Sequence, residues 1–425
     1  MSKIEVVEEK TRARLREVFR HWVSAAENYS DSEEFRISIN SCIQSVRNVT
    51  FVLQSNKSLI DDFEAWYKSW QNSMISDPIM KWCVSARNYI VKQGDLDAES
   101  VANVVLLNSH NENKTNVFSV DPRLSGREIA ILVKERFLPE ELSKYGFLQV
   151  ERQWVTEDLK GVEVLSALAH AFTVLNLLIN DIANKNGPEG VYNSEATTES
   201  DFVDALEFIS EDDKPFCMVA FEEFRTTNYN LGNGEDVSLT GTCIEIDEEK
   251  TPYIRERYGD IKSTVGDMGA SLEDRVQFHL KMAKGVLKVD EFHLTTVAIF
   301  DSSDKIHMIS TAFQNNEDKY LFWKDVAKKV KKLKAKMIIT VGDSWRAKLD
   351  KSKPLKLGER VADLDDKEEV LLVVGMSRKG DVVTINSPYV REGEEIIFKD
   401  DERVDMQPNF LNPVSKAFRK LRGWK

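Results

Sequence analysis

Cysteine and histidine are scarce in this chain of 425 residues, and neither follows a metal-binding pattern. The six histidines form no HxH or HExxH unit, and no two cysteines form a CxxC pair. Structural zinc sites and zinc hydrolases depend on such spacings. We therefore predict no metal site and no cofactor. We also expect the thiols to be reduced and buried, as in cytosolic proteins; they belong to Cys42, Cys83, Cys217 and Cys243.

Proline and glycine are also few, at 10 and 19 residues, and no low-complexity run occurs. These counts exclude collagen-like chains and chains dominated by linkers. With 42% apolar residues the chain can bury substantial cores, and its length suits two or three folded units. Most of the sequence should therefore fold.

No long uninterrupted hydrophobic run is present. The N-terminal residues alternate charged with apolar side chains and lack the core of a secretory signal, so we expect a cytoplasmic protein. The most apolar stretch, residues 162–179, carries polar side chains at helical spacing. This pattern predicts a buried helix of a soluble fold and no membrane partner. The polar residues are Glu163, Ser166, His170, Thr173 and Asn180.

The first hundred residues predict a helical bundle. Residues 4–28 lack proline and glycine. Residues 35–53 repeat apolar side chains every three or four positions, the spacing of a helix packed lengthwise on another. Two shorter helices are predicted near residues 59–74 and 78–92, the second with Asp77 as its N-cap.

The chain beyond the bundle predicts strands and further helices. Residues 101–107 and 114–120 have strand patterns and indicate a small β insertion around residues 100–120. Helices are predicted at residues 125–137 and 156–184.

A linker is predicted next, because residues 184–200 are rich in Gly, Pro, Asn, Ser and Thr without apolar periodicity. We therefore divide the chain into a helical bundle with its β insertion, a linker, a second domain and a basic amphipathic tail. Their predicted limits are 1–185, 186–200, 201–405 and 406–425.

The second domain predicts a sheet of mixed strand direction covered by helices, with a hairpin turn at residues 378–381. The whole chain is thus predicted to be an α+β multidomain protein, with an N-terminal helical bundle and a C-terminal mixed α/β domain. The predicted strands are 216–224, 237–246, 294–300, 306–310, 337–341, 370–374 and 382–385, and the predicted helices are 272–288 and 318–334.

Arg87 is the first residue with a functional implication. Its neighbours one helical turn away are apolar, so we expect its guanidinium to emerge from a surface that faces the core. An unpaired guanidinium there would be costly, so it should meet a carboxylate, a phosphate or a water-filled cleft. The apolar neighbours are Cys83, Val84, Ile90 and Val91, and the candidate carboxylates are Asp61, Asp62 and Asp77.

An Arg-Asn pair occurs both at Arg47-Asn48 and at Arg87-Asn88, within two predicted bundle helices. The segment RNYIVKQGD, which begins at Arg87, resembles the Arg-polar-x-x-x-His motif of the HEPN superfamily, which includes RNA-cleaving toxins and non-catalytic binding domains. The resemblance implies a site for the 2′-hydroxyl and phosphate of RNA, and a homodimer through the bundle. Lys92 stands where the family has histidine. Because lysine is a poor general base at neutral pH, this favours binding of RNA or a nucleotide without cleavage.

The second half of the chain carries another resemblance. The segments ITVGDSWRAKLD and EEVLLVVGMSRKGDVVTI are similar to C-terminal regions of uncharacterised bacterial and phage proteins. This implies a prokaryotic or viral source and no particular activity.

Several other side chains admit two interpretations. His170 either lines a polar cleft as an acid-base residue or lies on a hydrogen-bonded or solvated helix face. Asp301 and Asp343 follow apolar strands, where carboxylates either contact ligands or serve as ordinary turn residues. A carboxylate and lysine set with a partial likeness to metal-dependent nucleases is formed by Glu245, Asp247 and Lys250.

Charge is segregated along the chain, whose net charge is −13. Residues 318–336 carry eight lysines and two aspartates, and residues 412–425 carry five basic residues and no acid. The two segments together have a net charge of +11, so the rest of the chain has a net charge of −24. Segregation of this kind indicates either attraction between parts of the protein or a local anion-binding surface. We expect the apolar side of the tail to dock on the protein itself and the lysine-rich helix to cover the sheet.

Two functional classes follow. The first is an intracellular prokaryotic or phage protein that acts by interaction or regulation and binds RNA or a nucleotide without cutting it. The second is a nuclease of HEPN type or of metal-dependent type. The absence of a phosphate-binding loop, a metal motif and an ordered nucleophile-base set favours the first class. The candidate residues are Arg87, Asn88 and Lys92 for chemistry and Arg47, Asn48 and His170 for binding.

Overall fold

A computed structural model describes most of the chain. The described residues are 2–110, 115–189, 191–192, 205–206, 213–237, 251–313, 315, 317–348, 355, 359–393 and 395–422. The predicted strand at 237–246 falls outside this set except for its first residue, as do Glu245, Asp247 and Lys250.

Four helices open the chain and confirm that its N-terminal region is helical. Their N-termini are capped by side chains that the sequence supplies at the required positions. Ser2 and Glu5 form a capping box, and Asp31 and Asp77 accept backbone N–H groups of the second and fourth helices. The helices are α1 (Lys3–Glu27), α2 (Ser32–Ser55), α3 (Phe63–Ser76) and α4 (Pro78–Lys92).

A four-stranded antiparallel sheet follows the bundle, with strand order β2-β1-β3-β4. It is larger than the predicted insertion because β3 and β4 were not predicted. One helix, α5, packs on it and closes a separate apolar core around Val104, Ile129 and Val150. The elements are β1 (Glu99–Leu107), β2 (Thr115–Ser119), α5 (Gly126–Phe137), β3 (Phe147–Val155) and β4 (Thr226–Asn230).

The apolar helix α6 (Val164–Asn180) lies within the bundle and is buried on nearly all sides. It begins later than predicted, because Lys160 and Gly161 adopt positive φ angles and end a short 3₁₀ turn before it. No helix in the described part of the chain has the length and apolar character needed to cross a membrane.

The segment 216–224, predicted as a strand, is a helix, α7 (Phe216–Phe224). A short apolar run does not distinguish a strand from a buried helix, and here Pro215 starts the helix while Met218 and Phe221 insert between Trp22 and neighbouring core residues. Elements on the far side of the predicted linker, α7 and β4, therefore belong to the same packed unit as α1–α6, which we call the N-terminal lobe.

A seven-stranded sheet forms the second unit, the C-terminal lobe. Its order is β10-β9-β8-β7-β5-β6, with β11 also on β9, and every described pair is antiparallel, so the expected mixture of directions is wrong. The α+β class is confirmed. The strands are β5 (Thr295–Phe300), β6 (Ile306–Thr311), β7 (Met337–Arg346), β8 (Glu368–Ser377), β9 (Val382–Glu392), β10 (Glu395–Phe398) and β11 (Glu402–Val404).

Helices cover both faces of this sheet. One face packs on α9, which in turn contacts α8, and the other packs on α10 and α11. The two lobes meet where Leu321 of α10 packs on Leu107 and Phe147, next to paired hydroxyls of Tyr145 and Tyr320 at 3.4 Å. The helices are α8 (Thr251–Val265), α9 (Leu272–Asp290), α10 (Asp318–Lys332) and α11 (Asn412–Leu421).

The close packing of α9 on β8 predicts a strong response to a single methyl group. A Cβ at Gly375 would lie 2.5 Å from Val276 Cγ2 and 2.9 Å from Leu272 Cδ1. We expect Gly375→Ala to lower the free energy of unfolding by about 1–3 kcal/mol through overpacking. Gly342→Ala on the adjacent strand is the matched control, because its Cβ would meet only Thr295 Oγ1, at 3.5 Å. Urea unfolding of both variants tests this, and equal stabilities would contradict it.

Candidate functional site

Helix α10 presents a lysine-rich outer side. Its inner side buries Trp323, Val326 and Val330 against the C-terminal sheet. Because a helix repeats every 3.6 residues, the residues between them point outward, and Lys328, Lys329, Lys332 and the following Lys334 are exposed. The prediction of a solvated cover on the sheet is confirmed.

The C-terminal helix α11 lies beside α10 on the same face of the sheet. Leu411, Val414 and Phe418 are buried there, so the expected docking of the tail on its own protein is confirmed. The side of α11 that points away from the sheet exposes Lys416, Arg419 and Lys420.

The β8–β9 hairpin joins the ends of these two helices. The backbone N–H of Arg378 donates to Lys336 O at 2.6 Å, and its guanidinium donates to Leu421 O. Arg422 Nη1 donates to Lys379 O at 2.6 Å. Three basic segments that are distant in sequence therefore converge. We call their exposed side chains the basic face, which comprises Lys328, Lys329, Lys332, Lys334, Lys379, Lys416, Arg419 and Lys420.

Part of the basic face lacks an acidic partner among the described residues. Asp325 forms an ion pair with Lys329. Among the described residues no carboxylate forms an ion pair with Lys328, Lys334, Arg419 or Lys420. Like charges held together repel one another, and a bound polyanion relieves that repulsion. This arrangement is therefore suited to an extended anionic partner.

A cavity of about 460 Å³, the interlobe cavity, lies at the other end of α10 on the same face of the sheet. Hydroxyl groups of Thr295, Thr311, Thr340 and Ser344 belong to its floor. Its walls combine aromatic rings with His293, which precedes β5, and with two further basic side chains, His110 from the N-terminal lobe and Lys319 from the first turn of α10. The aromatic residues are Phe313, Trp323 and Phe410.

The two basic side chains are partly removed from water. Burial lowers the pKa of Lys319, and burial together with the charge of Lys319 lowers the pKa of His110 to about 4. His110 is therefore neutral near pH 7, and its buried Nδ1 has no hydrogen-bond partner in the described part of the protein. Asp343 also lines the cavity, but its carboxylate accepts at 2.8 Å from the hydroxyl of Tyr389, which belongs to the core on the opposite face of the sheet, and burial raises the pKa of Asp343.

The residues predicted from the HEPN resemblance lie on the outer side of α4. Arg87 is half-buried and donates to its neighbour Asn88 at 3.4 Å, while Asn88 and Lys92 are exposed. The expected core-facing surroundings hold for Cys83 and Ile90, which pack in or against the core, but not for Val84 and Val91, which are 48% and 52% exposed. No candidate carboxylate pairs with Arg87 among the described residues: Asp61 and Asp62 are exposed, and Asp77 is engaged elsewhere.

Arg47 and Asn48 occupy a similar outer side of α2. Arg47 donates to Thr50 Oγ1 at 3.0 Å and stacks over the ring of Phe51 at 4.4 Å, and Asn48 is exposed. The structure does not join this pair to Arg87 by any described hydrogen bond.

His170 faces neither a cleft nor solvent, because its side chain is fully buried. Its Nε2 lies 2.6 Å from Asp77 Oδ2, which also accepts from the hydroxyl of Tyr192. The other carboxylate oxygen of Asp77 caps α4 through the N–H groups of Ile79 and Met80. His170 is thus part of a buried polar cluster that joins α6, α4 and the start of the predicted linker.

The carboxylates proposed as ligands in the second half do not form a metal site in the described residues. Asp301 accepts from Ser303, Lys305 and His307 within one turn, and these hydrogen bonds lower its pKa. Asp301 therefore fits the interpretation as a turn residue.

Comparison with known proteins identifies the family of the chain. A model of the family described as bacteriophage lambda protein ea47 matches residues 7–421. Protein ea47 of Escherichia phage lambda is 29% identical over 409 residues, which cover 92% of each chain. No solved structure matches. The predicted similarity to phage proteins is confirmed over nearly the whole chain, and the chain belongs to the phage lambda ea47 protein family.

Proposed function

We propose that this phage-type protein binds single-stranded RNA through the basic face without cleaving it. The observation that carries the proposal is the convergence of α10, α11 and the β8–β9 hairpin, which gathers positive charge from three distant segments onto one surface. A chain with a net charge of −13 would otherwise repel a polyanion. RNA should therefore bind at the basic face, where the positive charge is concentrated.

The physical basis of binding is the release of counterions from the RNA backbone. Each phosphate neutralised by a lysine or arginine adds about 0.7 to the salt dependence of binding to a single strand. The exposed cationic groups of Lys328, Arg419 and Lys420 are positioned by buried residues of their own helices, so they remain on one surface without an ordering step.

The test is fluorescence anisotropy with a labelled single-stranded 20-mer RNA at several salt concentrations. We expect the triple variant Lys328→Glu, Arg419→Glu, Lys420→Glu to bind at least about tenfold more weakly. The slope of log K against log salt should fall by about 2, because three phosphate contacts are lost.

The matched control reverses the charge of three exposed lysines elsewhere on the protein, with the substitutions Lys68→Glu, Lys281→Glu and Lys288→Glu. Lys281 and Lys288 lie on α9, on the opposite face of the same sheet. This control should keep most of the affinity. An equal loss in both triple variants, or no binding by the wild type at low salt, would remove the proposal.

The surface of Arg87, Asn88 and Lys92 is a separate prediction. With Lys92 in place of a histidine we expect no cleavage of labelled RNA, with or without Mg²⁺. Cleavage by the wild type that is lost in Arg87→Ala would instead establish the nuclease alternative. The homodimer through the bundle likewise stays a prediction, which the mass in solution tests.

A further inference from the structure

We infer that the interlobe cavity binds a terminal nucleoside monophosphate, supplied either as a free nucleotide or as the 5′ end of an RNA held on the basic face. The second source rests on the proposed function, whereas the first does not. Four features of the cavity support this ligand class: its unpaired polar groups, its aromatic walls, its volume and its position relative to the basic face.

Several polar groups of the cavity have no partner among the described residues. Lys319 forms no ion pair with a described residue, and its ammonium group lies 5.6 Å from the ring of Phe313. In the described part of the chain the hydroxyls of Thr295, Thr311 and Ser344 have no hydrogen-bond partner, unlike Thr340, which donates to Thr296 O at 3.0 Å. A partly desolvated cation and unpaired hydroxyl donors that line the same cavity are complementary to a phosphate group.

The aromatic walls suit the other half of a nucleotide. Trp323 and Phe410 pack with their ring centroids 4.8 Å apart and their planes tilted by 31°, and the ring of His110 meets Tyr320 edge-on at 4.7 Å. Nucleobases stack on such rings with little sequence preference. The unpartnered Nδ1 of His110 is available for a hydrogen bond to the base or the sugar.

The size of the cavity agrees with this assignment. Its volume of about 460 Å³ lies within the range of roughly 300–1,000 Å³ that is usual for small-molecule sites.

The position of the cavity connects it to the basic face. Lys319 starts α10, and Lys328 lies nine residues further along the same helix, about 14 Å away at 1.5 Å per residue. An RNA strand that follows the outer side of α10 would place its 5′ end at the cavity.

The nearby carboxylates among the described residues form no ion pair with Lys319. Asp343 is engaged by Tyr389, and Asp318 in the first turn of α10 accepts from the backbone N–H of Asn315 at 3.0 Å. The other lining residues are apolar or neutral at pH 7 apart from Lys319.

The experiment compares two RNA 12-mers of one sequence, labelled at the 3′ end, that carry either a 5′-phosphate or a 5′-hydroxyl. We expect the wild type to prefer the 5′-phosphate by about tenfold, and Lys319→Met to lose the preference while binding the 5′-hydroxyl RNA normally. Calorimetry with adenosine 5′-monophosphate tests the free nucleotide. Ser344→Ala is a second variant that keeps the lysine, and Lys281→Met is the matched control.

The outcomes separate the two proposals. A preference that depends on Lys319, without binding of the free monophosphate, assigns the cavity to strand ends. Binding of adenosine 5′-monophosphate that is weakened at least tenfold in Lys319→Met supports the cavity even where RNA binding fails. If neither a 5′-phosphate preference nor nucleotide binding is found, or if both persist in Lys319→Met and Ser344→Ala, the cavity does not bind this ligand, whatever the basic face does.

Discussion

Asp77→Ala should lower the free energy of unfolding by about 3–5 kcal/mol, because several buried hydrogen-bond donors would lose their acceptor at once, at about 1–3 kcal/mol each. Asp77 is fully buried and accepts hydrogen bonds from His170, Tyr192 and two backbone N–H groups. Alanine would leave all four donors without an acceptor in the core. Urea unfolding followed by tryptophan fluorescence measures the effect.

The control for this prediction is Asp31→Ala. Asp31 caps α2 through two backbone N–H groups, as Asp77 caps α4, but it is exposed. Losing an exposed cap costs about 0.5–2 kcal/mol. Equal effects at the two positions would show that Asp77 serves only as a cap and that its contacts with His170 and Tyr192 contribute nothing.

Asn in place of Asp77 should restore most of the lost stability. The amide oxygen can still accept from Ile79 and Met80, and the amide NH₂ can donate to His170 and Tyr192, because imidazole nitrogen and phenol oxygen both accept hydrogen bonds. His170 needs only to exchange tautomers, and its Nδ1 lacks a described partner in either state. A failure of this rescue would show that the negative charge itself is required.

The sequence predicts the elements whose periodicity and caps are local. The bundle helices, the α10 helix and the hairpin at residues 378–381 were predictable because apolar spacing, Asp77 before Pro78, and Gly380 in the turn are features of neighbouring residues. The helix at Phe216–Phe224 was not predictable, because its short apolar run acquires its conformation from packing against α1.

The candidate site was predictable only in part. The two lysine-rich and arginine-rich segments are visible in the sequence, but their meeting on one sheet face depends on strand order, which a single sequence does not give. The interlobe cavity combines His110 with residues about 200 positions later, so no local pattern indicates it. The apolar sequence neighbours of Arg87 suggested a core-facing position, whereas two of them are exposed together with that side of α4.

Asp181 shows where the rescue by asparagine should fail. Its Oδ2 accepts from Trp66 Nε1 at 2.7 Å, Trp70 Nε1 at 2.9 Å and the N–H of Gly187 at 2.9 Å, and its Oδ1 accepts from the N–H of Asn186 at 2.8 Å. The side chain is only 8% exposed. We expect Asp181→Ala to cost about 3–5 kcal/mol, since it leaves four donors unpaired.

All four partners of Asp181 are obligate donors, because indole and backbone N–H groups cannot accept hydrogen bonds. Either orientation of an asparagine amide would therefore point its NH₂ group at another N–H, and Asp181→Asn should still cost about 2–3 kcal/mol. Asp62→Asn is the control. Asp62 belongs to the same bundle, but it is exposed and its side chain makes no capping hydrogen bond. Urea unfolding measures all three variants. If Asp181→Asn were as stable as the wild type, hydrogen bonding by the two tryptophans would not stabilise the bundle, and its buried carboxylates would have to be explained by packing alone.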